Sequence, residues 1–240
     1  MEAIENVQKK EFEIRRIYLY ILIIAIVQLA IALFSLISNL EVANAINTYS
    51  QFGGNMTNSN GGFSINIPGA APYSAAKIAF MTFVQNLKNG LGYVPLFLYA
   101  FMFIRLDNLK KMAADEDAAA LKTLRIGFII YICFVVAVST GYLPKIFMAV
   151  HIAFYIFLII GLNKLIKAGT YANQGALKLM IAYSVLCIIG LIVGFFALKP
   201  SNGYKAVVIL SFIVTVTANI ILLLAYFKGT RKQQIKTETE

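Results

Sequence analysis

His151 is the only histidine in the chain. It sits in an apolar run, with Tyr155 one helical turn further on. A lone imidazole with no Asp, Glu or Cys at helical spacing builds neither a hydrolytic triad nor a zinc site. The pair suits an interhelical hydrogen bond. Its sharper alternative is a ligand contact or a pH-sensitive group, since ionisable residues at membrane depth are functional candidates. Thr215 and Asn219, also one turn apart, share a helix face and either join helices or meet a solute. The acids Asp115-Glu116-Asp117 are too few and too close together for a calcium loop. They suit a solvated turn that caps the next helix, or a docking point for a partner. Cys133 and Cys187 fall inside apolar runs, where they read as small packing residues. Two thiols make no metal site. No catalytic constellation, no metal set and no cofactor motif emerges, so the chain reads as non-enzymatic.

These residues are carried on hydrophobic runs of membrane-spanning length. Five are clear: Ile17–Ile37, Ile126–Leu143, Ile146–Leu162, Leu179–Leu198 and Ala206–Phe227. A weaker run, Leu91–Ile104, gains length from Gly90 and Arg105 at its ends. A helix of about 20 apolar residues crosses the hydrocarbon of a bilayer. The expected fold class is therefore all-α, a polytopic membrane protein of six transmembrane helices. Hydrophobic content of 60% and a mean hydropathy of +0.76 describe a membrane-embedded bundle rather than a soluble domain.

A net charge of +10 would also fit a nucleic-acid binder, but the basic residues gather at span ends instead of forming a separate domain. Lys77, Lys88, Lys145, Lys199 and Lys205 fall on one side of six spans, and the other 16 of the 21 Lys and Arg fall on the opposite side. The positive-inside rule then places both termini in the cytoplasm. Counting only five spans would break this order. The expected partner is the lipid bilayer, with no nucleic acid, and the expected location is a bacterial cytoplasmic membrane. The first run is about 21 residues, longer than the roughly 7–15 of a signal-peptide core, so it reads as a retained anchor.

The chain divides accordingly. Residues 1–16 read as a cytoplasmic amphipathic segment and 17–38 as the first span. Residues 39–89 read as an external loop with an Asn-, Gly- and Ser-rich middle. There Phe63–Ile67 alternates like one short strand and ends at Pro68-Gly69. Within this loop, residues 75–89 carry two stripes at helical spacing. Ile78, Met81, Val84 and Leu87 form the apolar one; Thr82, Gln85, Asn86 and Asn89 form the polar one. This suits an amphipathic helix on the outer leaflet, or a lid lining a solute entrance. Gly90 and Gly92 would supply a bend, with Pro95 in the first turn of the following helix. Residues 90–227 hold five helices, and 228–240 are a cytoplasmic tail.

An internal offset of 56 residues superposes the second hairpin on the third without a gap. It places Leu106 on Leu162 and Lys122 on Lys178. Tyr99 then meets Tyr155, Ala120-Leu121 meets Ala176-Leu177, and Pro144 meets Pro200. The pattern implies a tandem repeat of spans 2–3 and 4–5. Gly190 and Gly194 form a small-xxx-small step suited to helix packing. Tyr18, Tyr20, Tyr93, Tyr99, Tyr142, Tyr204 and Tyr226 suit an interfacial belt in a chain without Trp. The leading functional reading is an interaction or accessory subunit, meeting a protein partner through the external loop or the cytoplasmic hairpin loops. The alternative is a small-solute transporter or capture subunit for a neutral or apolar cargo.

Overall fold

In lipid a backbone must satisfy its N–H and C=O groups internally, and among the described residues this chain does so with six long helices. In the computed structural model they are α1 (Glu2–Phe52), α2 (Ala75–Lys111), α3 (Asp115–Ser139), α4 (Pro144–Ala168), α5 (Gln174–Phe196) and α6 (Tyr204–Thr237). The structure describes residues 2–52, 55–59, 62–66, 75–139, 144–169, 173–196 and 204–237. The Pro68-Gly69 stop, Thr140, Tyr142 and Pro200 lie outside them. Between α1 and α2, β1 (Asn55–Ser59) pairs antiparallel with β2 (Gly62–Asn66), with Asn55 opposite Asn66. The single strand expected from alternation is thus half of a hairpin.

Five helices among the described residues are long and apolar enough to span a membrane: α1, α2, α4, α5 and α6. The apolar run of α3 continues into residues outside the described set, and α3 itself has 25 residues, about 37 Å of helix. The protein is a helical membrane bundle. The side chains agree: Ile26, Leu33, Phe97, Phe101, Ile213 and Ile220 are exposed, as lipid-facing residues must be.

Each helix packs on its neighbours in sequence, and α1 closes against α6. The result is a closed ring. At the usual axis spacing of about 8–10 Å, a regular ring of six leaves a centre as wide as one further helix. Long side chains must fill that centre, and they define the candidate site described below.

Two ion pairs fix how α1 and α2 run together. Arg105 Nη1 meets Glu13 at 3.1 Å, and Lys77 Nζ meets Glu41 at 2.7 Å. The residue numbers sum to 118 in both pairs, so the helices are antiparallel in one unbroken register. Glu13 and Glu41 are 28 residues apart (41 − 13), about 42 Å of helix. A bilayer with its headgroups is about 40–45 Å thick. The two pairs therefore lie about one bilayer thickness apart along the helix pair.

This register corrects the reading of residues 75–89. They are neither a separate surface helix nor a lid. They form the first half of an unbroken α2 that lies alongside α1. Gly90 and Gly92 make no break, and Pro95 sits inside the helix instead of in its first turn. The N-terminal amphipathic segment is likewise continuous with the first span in α1.

The hairpins α2–α3 and α4–α5 carry one burial pattern at the 56-residue offset. Leu106 and Leu162, Leu109 and Leu165, Ala120 and Ala176, and Leu121 and Leu177 are all buried. Lys122 and Lys178 are both exposed. The tight helix crossing lies elsewhere than expected. At Gly194 an added Cβ meets nothing within 4 Å, and at Gly190 it meets only Val214, at 3.5 Å. Between α3 and α4, a Cβ on Gly127 would sit 2.8 Å from the Phe157 Cβ, and one on Gly161 would sit 2.6 Å from the Leu124 side chain. Those two glycines let α3 and α4 approach closely.

Candidate functional site

The centre of the ring is filled by aromatic side chains from four helices. Phe154 of α4 is fully buried and is the hub. Its ring lies 5.4 Å from Tyr99 of α2, and 5.4 and 4.7 Å from Phe128 and Tyr131 of α3. Tyr155 follows at 5.2 Å and leads to Tyr183 of α5 at 6.1 Å. Most of these pairs are tilted or edge-on, the geometry ring quadrupoles favour.

The buried hydroxyls find partners inside the bundle. Tyr183 Oη donates to Gln28 Oε1 at 3.0 Å and so ties α5 to α1. Cys187 lies within hydrogen-bonding reach of Tyr155 and Tyr183. Ser184 Oγ donates to the Met180 carbonyl at 2.9 Å. Polar groups that meet each other here are unavailable to a solute.

On the side of this layer nearer the Glu13–Arg105 pair lies a cavity of about 130 Å³. Tyr99, Phe128 and Tyr183 roof it, and Ile14, Leu109 and Leu165 lie toward its other end. Apart from Tyr18 and Ser184, the rest of its wall is leucine, isoleucine and methionine. Left empty, a void of about 130 Å³ would cost about 3 kcal/mol at roughly 24 cal/mol per Å³. It extends from Tyr99 to Leu109 on α2, about 15 Å of helix.

The residues singled out from sequence are distributed around this centre. His151 is buried and meets the Tyr131 ring edge-on at 5.0 Å, so it faces the bundle interior. Tyr155 is in the aromatic layer. Thr215 Oγ1 bonds back to the Ser211 carbonyl at 2.8 Å, and Asn219 Nδ2 to the Thr215 carbonyl at 2.9 Å. These two donors serve their own helix. Asn219 is 2% exposed, and its Oδ1 accepts no hydrogen bond among the described residues. None of the four lines the central cavity. Tyr99, assigned to an interfacial belt from sequence, is a core residue. Tyr18 is buried as well, against Gly229 of α6.

The end of the bundle that gathers the helix-joining turns carries the charge networks. Glu13 accepts from Arg105 and also from Asn108 Nδ2 at 3.0 Å. Asp107 bridges Arg125 at 2.6 Å and Lys111 at 3.1 Å. Arg125 also covers the Phe103 ring at 4.7 Å. The acidic triplet is only partly a solvated turn. Asp115 and Glu116 are exposed, but Asp117 is fully buried in the first turn of α3, where the helix dipole favours negative charge. The triplet lies inside the helix and does not cap it. Asn173 does cap α5, where its Oδ1 accepts from Ala176 N at 3.4 Å.

The polar stripe on α2 remains exposed. Thr82, Gln85, Asn86 and Asn89 are open to the outside of the bundle. Gln85 Nε2 donates to Asn89 Oδ1 at 3.2 Å. In the α1–α2 register these four residues lie level with Leu36, Leu33, Ala32 and Leu29, within the apolar run of α1.

The fold defines a membrane-embedded helical bundle with an apolar centre. No family model, curated protein or solved structure matches the chain.

Proposed function

We propose that this is a non-enzymatic interaction or accessory subunit of a bacterial cytoplasmic membrane, with both termini in the cytoplasm, which meets a partner through the polar face of α2. The observation that carries the reading is the exposure of Thr82, Gln85, Asn86 and Asn89 beside an apolar stretch of α1. Gln85 and Asn89 satisfy part of each other's hydrogen bonding, and an amide facing hydrocarbon with the rest unmet is costly. Helices in membranes meet this need by hydrogen bonding to polar side chains on another helix. A partner's transmembrane helix carrying its own amides or hydroxyls would satisfy the stripe.

Photo-crosslinking in native membranes tests this. A photoreactive residue at Gln85 or Asn86 is expected to capture a protein of discrete mass. The same residue at lipid-facing Ile213 is expected to capture none. Replacing Gln85 and Asn86 with leucine should reduce recovery of the captured protein by about tenfold, equivalent to one good intramembrane hydrogen-bonded contact. Equal capture from Ile213, or none from the stripe, defeats the reading.

The sixteen-to-five charge division supports the orientation. A membrane-impermeant thiol reagent on intact cells should label Ser59→Cys and spare Thr230→Cys; the opposite pattern would invert the topology. The second reading, a carrier or capture subunit for a neutral or apolar cargo, is favoured by a different observation, the central cavity.

A further inference from the structure

We infer that the cavity beneath the aromatic layer is a binding site for an unsubstituted hydrocarbon, either a small free apolar molecule or the end of a lipid chain. The inference does not depend on the polar stripe of α2. It rests on where the polar atoms go. Ile21, Met102, Leu106, Leu124, Leu158 and Leu162 enclose the space from four helices. Of the four hydroxyl-bearing residues in the lining, Tyr183 bonds to Gln28 and Ser184 to the Met180 carbonyl, Tyr99 lies within reach of Tyr183 and Gln28, and the Tyr18 ring packs against Gly229 of α6. A water molecule needs two or more polar partners to stay in such a space, and this lining does not supply them. An apolar cavity of comparable size in a soluble protein stays dry and takes up benzene or xenon. Here the surroundings are themselves hydrocarbon, so a suitable occupant is always at hand.

The ring architecture explains why the space exists. Six helices leave a wide centre. Phe154 and its neighbours fill it at one level with rings. Below them the lining is mainly branched aliphatic, and about 130 Å³ remains unfilled. The fixed roof gives the site a closed end, so it selects by length and bulk instead of by hydrogen bonding. A ligand with a polar group on the seated part would lose that group's hydration and gain nothing in return. Hydrocarbon is the one chemistry that both fits and is not penalised.

Photolabelling of the purified full chain in lipid nanodiscs tests the site. Two probes are used: a free phenyl diazirine, and a phosphatidylcholine carrying the diazirine at the end of one acyl chain. Peptide mapping is expected to find label on Met102, Leu158 or Leu162 from at least one probe. Leu162→Phe, which fills the space, should reduce that label by about tenfold and leave labelling of lipid-facing Ile213 unchanged. Met102→Phe is the second filling variant and should act in the same way if Leu162→Phe does not fold. Lining label from the phenyl probe alone identifies a free small molecule as the occupant; label from the lipid probe identifies a chain end. Label confined to Ile213, Phe97 and other outward residues of the unaltered protein overturns the proposal, as does lining label that survives a folded filling variant.

Discussion

Phe154→Ala is expected to cost about 3–5 kcal/mol, the range for removing a large aromatic from a packed core. Phe154 is at the upper end of that range for three reasons. It is fully buried. It touches Tyr99, Phe128, Tyr131 and Tyr155 at once. Its neighbours are rings on three different helices, held by backbones that cannot collapse inward without opening the ring of helices. The void it leaves would add to the cavity that the layer now roofs. Thermal unfolding in detergent, followed by the tyrosine signal, measures the loss. Phe154→Leu retains most of the volume and should lose much less. A loss below about 1 kcal/mol for the alanine variant, where a single aromatic pair alone is worth about 0.5–1.5, would mean that the layer is not the structural centre of the bundle. The same variant bears on ligand binding: by joining two spaces it should admit bulkier hydrocarbon probes than the native protein does.

The sequence revealed the helices more clearly than their arrangement. Lipid-facing and core-facing residues are both apolar in a membrane bundle, so a long apolar run announces a span whichever way its residues point. That is why α1, α4, α5 and α6 were legible. The same equivalence hides the faces. Tyr99 and Phe101 are two residues apart, yet Tyr99 is buried in the central layer and Phe101 is exposed; nothing in their chemistry says which turns inward. Gly127 and Gly161 carry the close α3–α4 contact, but they lie on different helices with no repeating spacing to mark them. Gly190 and Gly194 had the spacing, yet only Gly190 meets a neighbouring helix, at ordinary van der Waals distance from Val214. The break expected at Gly90 failed because α2 is held along its length by α1, and tertiary support overrides local propensity. His151 lies in an apolar run whose residues do not say which way they turn, and its edge-on contact with Tyr131 of α3 had no signal in the sequence. The cavity was not legible at all, because a void is a property of ring closure and not of any residue.

The polar stripe and the apolar cavity make opposite demands on their surroundings. The stripe is a set of hydrogen-bonding groups beside the apolar run of α1. The cavity wall is almost wholly apolar. In the readings proposed above, a protein partner answers the first and a small apolar occupant the second. The two proposals can therefore fail separately, and an occupied cavity would brace the ring that presents α2.

Arg105→Ala is expected to destabilise the protein by about 3 kcal/mol, because it leaves a buried carboxylate short of its cation. Glu13 is 8% exposed and is held by Arg105 and Asn108. Without Arg105, only the Asn108 amide among these partners remains, and a neutral donor compensates a buried charge poorly. The helix pair would lose the contact that fixes its register at this end of the bundle. The pair at the opposite end cannot substitute for it. Lys77 and Glu41 are more exposed, and surface pairs contribute about 0–1 kcal/mol. The geometry also specifies the conservative variant. Both contacts to Glu13 come from the single nitrogen Nη1, at 3.1 Å to each carboxylate oxygen. This is a point donor and not the two-nitrogen fork for which arginine is usually irreplaceable. Arg105→Lys should therefore recover most of the loss. Denaturation in detergent for the two variants decides between charge and shape. If lysine is as damaging as alanine, the guanidinium's packing matters more than its charge, and the ion pair is not what holds α1 and α2 in register.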